Sequence, residues 1–171
     1  MLVVSRSIGV LAAAAVAAVV VLPPAQAAGT AGGEEVIKAR GNFMDEQLYA
    51  EFKVLAAYVR GGKASLADVE KSAKAIANLS KQIPKHFPKD TGRPHFPDTM
   101  TRALPVIWTD WAGFEKEVQR LTEGGERLAR AANAGDKDQV VELIGAKGSY
   151  NSTKIGCAEC HDAFRGERVK K

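Results

Sequence analysis

The chain has 171 residues, 24 lysines and arginines against 20 aspartates and glutamates, and 46% hydrophobic residues. That length suits one domain behind an N-terminal targeting segment. The charges are interspersed, with no basic tract long enough for a nucleic-acid arm, and two cysteines exclude a disulfide framework or a four-thiolate metal site.

Arg6 opens a positive N-terminus, and Ile8 to Leu22 is an apolar run of mostly Ala and Val. Pro23 and Pro24 break it, and Ala25-Gln26-Ala27 has the small-x-small cleavage pattern. Residues 1–27 therefore read as a secretory signal, and 28–171 as the mature domain. The run falls short of the roughly 20 apolar residues that span a bilayer. The expectation is export to a bacterial periplasm, with no stable membrane insertion after cleavage.

Four amphipathic helices follow. Ile37, Arg40, Met44, Leu48, Phe52, Leu55 and Val59 recur at steps of three and four and predict a helix from about Glu34 to Arg60, ended by Gly61-Gly62. Ser65 and Asp68 form a capping-box pair at the head of a second, which Pro84 stops. Four prolines then exclude regular helix between Pro84 and Leu104. A loop that long in a small domain is usually functional or tied to a ligand. Its His86 and His95, among lysines, are expected in water.

Ile107, Trp108, Trp111, Phe114, Val118, Leu121 and Leu128 mark a third helix starting near Pro105, and Gly124-Gly125 either weakens it or lets a neighbour approach. Gly135 stops it, and Asp136 caps a fourth helix expected to continue through Val140, Leu143, Ile144, Tyr150, Ile155 and onward to Phe164. Short connections favour antiparallel neighbours, so the predicted architecture is an all-α, up-down four-helix bundle.

The fourth helix carries Cys157-Ala158-Glu159-Cys160-His161, a Cys-x-x-Cys-His run that reads as a c-type haem attachment site. At i, i+3 and i+4 the two thiols and the imidazole leave one helix face. Thioethers from Cys157 and Cys160 can pin a flat macrocycle while His161 binds its iron. The competing readings are half of a zinc site, a thiol–disulfide pair and a structural disulfide. Arg40 stands out in its apolar stripe, because burying a guanidinium without an anion is costly.

This layout resembles the class II cytochromes c, the cytochromes c′ and low-spin cytochrome c-556. The resemblance rests on Arg40-x-x-x-Met44, on Ile107-Trp108-Thr109-Asp110, and on Cys157-x-x-Cys160-His161-x-x-x-Arg165. It implies one covalent haem c with His161 as proximal ligand, Arg40 pairing with a haem propionate, and Arg165 beside the proximal imidazole. Position 44 matches the distal residue. Met there implies a low-spin His/Met haem and a non-enzymatic one-electron carrier serving periplasmic redox partners. An unligated Met44 implies the alternative: a five-coordinate, high-spin haem that binds nitric oxide or carbon monoxide. The resemblance also allows a homodimer.

Overall fold

The structure is a computed structural model and describes residues 30–169; the proposed signal, 1–27, lies outside the described residues. No helix among them is long and apolar enough to cross a membrane.

The first arm of the bundle comprises α1 (Thr30–Asn42), a π-helical turn (Phe43–Leu48) and α2 (Tyr49–Val59). Three successive steps of four, Arg40 to Met44 to Leu48 to Phe52, outrun the 3.6-residue period of an α-helix. The π turn absorbs the excess residue, with Tyr49 N–H donating to the Met44 carbonyl. It also changes which side chain enters the core: Phe43 is buried while Met44 is half-buried.

The second arm, α3 (Leu66–Ser80), begins with the expected capping box. The Asp68 N–H donates to Ser65 Oγ at 3.2 Å, and the Ser65 N–H donates back to Asp68 Oδ2 at 2.8 Å. Val69, Ala73 and Ile76 are buried. The helix ends before Pro84, and Ile83 to His86 form a 3-10 turn.

The third arm is broken near its start. Asp110 leaves helical geometry between α4 (Val106–Thr109) and α5 (Trp111–Asn133), and its carboxylate accepts from Gly113 N–H at 3.0 Å. Helix α5 runs unbroken through Gly124-Gly125, which serve close packing on two sides. Gly125 lies against the Ala73 carbonyl and Ala77 of α3, and Gly124 against the backbone of Ile155.

The fourth arm departs from the expected continuous helix. Helix α6 (Lys137–Ile144) stops at Gly145, and α7 (Cys157–Phe164) starts after Gly156. Gly145, Gly148 and Gly156 hold φ of 81°, 55° and 108°, values that side chains with a Cβ rarely adopt. Between them lies a 3-10 turn, Tyr150–Ser152. The chain is an all-α up-down four-helix bundle whose last arm is split by a twelve-residue irregular link.

Leu55, Ile76, Ile107, Phe114, Leu128, Ile144 and Ile155 fill the core. Phe114 joins three elements there. Its ring meets Phe87 of the long loop at 5.0 Å, Trp111 at 5.3 Å and Phe164 of α7 at 5.4 Å.

Candidate functional site

Helix α7 begins at Cys157, so Cys157, Cys160 and His161 share its first two turns, as the spacing predicts. Both cysteines are free thiols that pack against the apolar core, as Met44 does. Burial pushes the Cys157 thiol up to about 11, opposed by a Thr153 hydrogen bond, and the Cys160 thiol up to about 12. Glu117 on α5 adds to the Cys160 shift. Neither thiol is the depressed, electropositive type that a thiol–disulfide enzyme needs. No cluster of three or more His, Cys, Asp or Glu among the described residues could hold a metal ion, which leaves the zinc reading without ligands.

The His161 imidazole is pushed down to about 4, first by burial, then by Arg165 and Arg102. It is therefore neutral near pH 7, the form that binds a metal. Its Nδ1 is buried with no protein hydrogen-bond partner among the described residues. The ring of Tyr150 meets it edge to face, centroids 5.3 Å apart and planes at 78°. Arg165 sits with its guanidinium 5.1 Å from the Tyr150 centroid. Tyr150 and Arg102 were not recognisable as site residues in the sequence; the break after α6 brings Tyr150 here.

The long loop closes one side of the site. Leu104 N–H donates to the Phe164 carbonyl at 3.2 Å, Gly166 N–H to the Arg102 carbonyl at 2.8 Å, and Arg102 Nε to the Gly166 carbonyl at 2.7 Å. Arg93 adds a bond to the Glu167 carbonyl at 3.0 Å. The segment after α7 is thus tied to the loop.

Arg40 is buried, as its place in the stripe predicted, but its partners are neutral. Its guanidinium donates to the Thr91 carbonyl at 2.7 Å, Thr101 Oγ1 at 2.9 Å and Thr91 Oγ1 at 3.2 Å, and lies 4.7 Å from the Phe87 ring centroid. Burial lowers its pKa to about 10. Loop oxygens hold the guanidinium within the protein. Its Nε–H makes none of these bonds.

His86 is also corrected. It is not free in water but stacks on Phe43 at 4.0 Å, and burial, Arg40 and Lys85 lower its pKa. His95 is exposed beside Asp90, and Met100 is exposed.

A family model described as cytochrome c′ matches residues 35–165. The cytochrome c′ of Pararhodospirillum photometricum is 30% identical over 132 residues, which is 77% of this chain and 91% of that one. A nitric oxide complex of a cytochrome c′ variant from Alcaligenes xylosoxidans superposes with a TM-score of 0.61 at 26% identity, over 79% of this chain and 97% of that chain. Oxidised R. palustris cytochrome c556 gives a TM-score of 0.62 at 23% identity, over 80% and 99% of the two chains, a likeness of fold. The chain belongs to the cytochrome c′ family, whose members are c-type haem proteins.

The residues fit that group. Two unpaired thiols and a neutral imidazole lie on one short helix, and the imidazole carries a buried nitrogen that no protein group has claimed. The donor set is that of a c-type haem site: two thiols for the vinyl groups and a neutral imidazole for the iron.

Proposed function

We propose that the protein is an exported, five-coordinate cytochrome c′ that binds small neutral diatomic gases, nitric oxide or carbon monoxide. Cys157 and Cys160 would hold one haem c through thioethers, and His161 would be its proximal ligand. Haem c bound here supplies an iron that exchanges one electron and accepts a diatomic ligand at its open position.

The observation that carries this reading is family membership across residues 35–165, together with the likeness to a cytochrome c′ recorded as a nitric oxide complex. It displaces the His/Met carrier as the first choice, because the likeness to cytochrome c556 speaks only for the fold. The chain's own residues support it. Met44 packs against the apolar cluster, and a thioether on a helix stripe ordinarily fills space. In this role Met44 shields the distal side from water and yields to a small ligand.

His161 enters the site already neutral, so no proton need leave it when it binds metal. Burial, then Arg165 and Arg102, disfavours a positive charge on the imidazole. The role proposed for the site is binding rather than turnover. The export signal at residues 1–27 supports a periplasmic location, where haem c is attached in bacteria. Lys85 and Lys89 on the loop and Arg168 beyond α7 are exposed basic side chains of the kind that attract acidic redox partners.

The His/Met carrier stays as the second reading on one observation: the distal position holds Met, and a π turn starts beside it. Electron paramagnetic resonance of the oxidised protein separates the two. A high-spin ferric signal is expected; a purely low-spin signal contradicts the proposal.

A further inference from the structure

Metal-binding imidazoles usually have their ring plane fixed by a hydrogen bond from the second nitrogen to a carboxylate, a backbone carbonyl or water. His161 has no such protein partner among the described residues: its Nδ1 is buried and receives no side chain or backbone group. Rotation about the bond that carries the ring must then be limited by packing. Among the described residues, Tyr150 makes the one aromatic contact with it, edge to face at 5.3 Å and 78°.

Tyr150 is itself held from several sides. Ser149 caps its 3-10 turn by accepting from Asn151 N–H, and Ser152 N–H donates to the Ser149 carbonyl at 2.9 Å. Arg60, at the end of α2, reaches across to donate to the Gly148 carbonyl at 2.7 Å and the Lys147 carbonyl at 3.1 Å. Gly148 is pressed against Ala56 and Val59 of α2, with φ 55°. On the far side Lys154 N–H donates to the Leu143 carbonyl at 2.9 Å. The Tyr150 ring also carries the Arg165 guanidinium at 5.1 Å. No hydrogen bond of its hydroxyl is needed for any of this.

We propose that Tyr150 is the positioning residue of the proximal ligand: its anchored ring meets His161 edge to face and fixes the plane in which that imidazole meets a haem iron. The split in the fourth arm then has a purpose. A continuous helix from Lys137 to Phe164 would leave position 150 more than a turn of helix away from His161, along the axis. The link folds Tyr150 back beside the metal-binding turn. The proposal rests on the reading of His161 as the iron ligand, but not on the identity of the sixth position.

The test is electron paramagnetic resonance of the oxidised holoprotein, whose rhombicity and linewidth respond to the imidazole plane in either spin state. Tyr150→Phe keeps the ring and is expected to reproduce the wild-type signal. Tyr150→Leu removes the ring face and is expected to broaden the signal and change its rhombicity at unchanged haem content. Where Leu prevents accumulation of holoprotein, Tyr150→Met, apolar and flexible, takes its place with the same expected shift. A wild-type signal from Leu or Met overturns the proposal, as does a Phe variant that shifts as far as Leu. Wild-type protein that carries no haem from a host able to attach it overturns the His161 reading and this proposal with it, a result distinct from all the others.

Discussion

Gly124 of α5 lies directly on the backbone of Ile155, the residue two before Cys157, and a Cβ at position 124 would overlap the Ile155 carbonyl oxygen and Cα. The contact seats the link that leads into the attachment helix. Ile155 is fully buried and cannot back away without carrying Gly156 and Cys157 with it.

Gly124→Ala is therefore expected to destabilise the protein by about 1–3 kcal/mol, the range for inserting a methyl group into a tight core. This outweighs the gain of up to about 1 kcal/mol that Ala brings to a helix interior. Gly32→Ala, where nothing lies near the added methyl, is the control and keeps only the propensity gain. Urea denaturation of both holoproteins checks the pair, and a neutral Gly124→Ala would contradict the close approach.

Arg40→Met removes three buried hydrogen bonds and takes from the Thr91 carbonyl its guanidinium donor. A loss on the order of 3 kcal/mol is expected from typical net hydrogen-bond contributions. Faster proteolysis within residues 88–104 should accompany it. Arg40→Lys recovers only part of the stability, because an ammonium cannot reproduce the planar fork. Wild-type stability in Arg40→Met would show that the loop does not depend on this side chain.

Met44→Leu separates shielding from ligation. Met and Leu are close in volume, and such swaps usually cost less than about 1.5 kcal/mol. The carbon monoxide affinity of the reduced protein should then change by less than about tenfold. Conversion of a low-spin spectrum to a high-spin one by this substitution would identify Met44 as an iron ligand instead.

The Asp68 carboxyl is held below its ordinary pKa by the Ser65 hydroxyl, then by the Ser65 backbone N–H. A depressed folded-state pKa means the capping interaction is fully present above the unfolded-state pKa and is lost as pH falls through the folded value. Asp68→Ala should lower the melting temperature near neutral pH, and the gap to wild type should narrow in acid. A gap that stays constant below the carboxylate range would rule out the reciprocal bond.

Local signals were readable in the sequence because their partners are near in the chain. Ser65 and Asp68 are three residues apart, and Cys157, Cys160 and His161 span five. The bundle followed from stripes such as Val69, Ala73 and Ile76. The π turn lay in the three successive steps of four from Arg40 to Phe52, a pattern easily absorbed into an ordinary helix. The break of the fourth arm was masked because Val140, Leu143, Ile144, Tyr150 and Ile155 keep a helix-like rhythm across it. Gly145, Gly148 and Gly156 carried the contrary signal, which only their left-handed geometry makes decisive. Long-range partners were not readable at all. Arg40 finds its acceptors 51 and 61 residues away, and Arg60 anchors the Tyr150 link from 87 and 88 residues away. No periodicity encodes such pairings.

The most direct test of the central claim is an absorption titration of the reduced holoprotein with carbon monoxide. The account predicts a broad high-spin spectrum that converts, at one carbon monoxide per haem, to the sharp bands of a six-coordinate complex. Sharp low-spin bands before addition, with no response to carbon monoxide, would contradict it and return the protein to the His161/Met44 electron carriers.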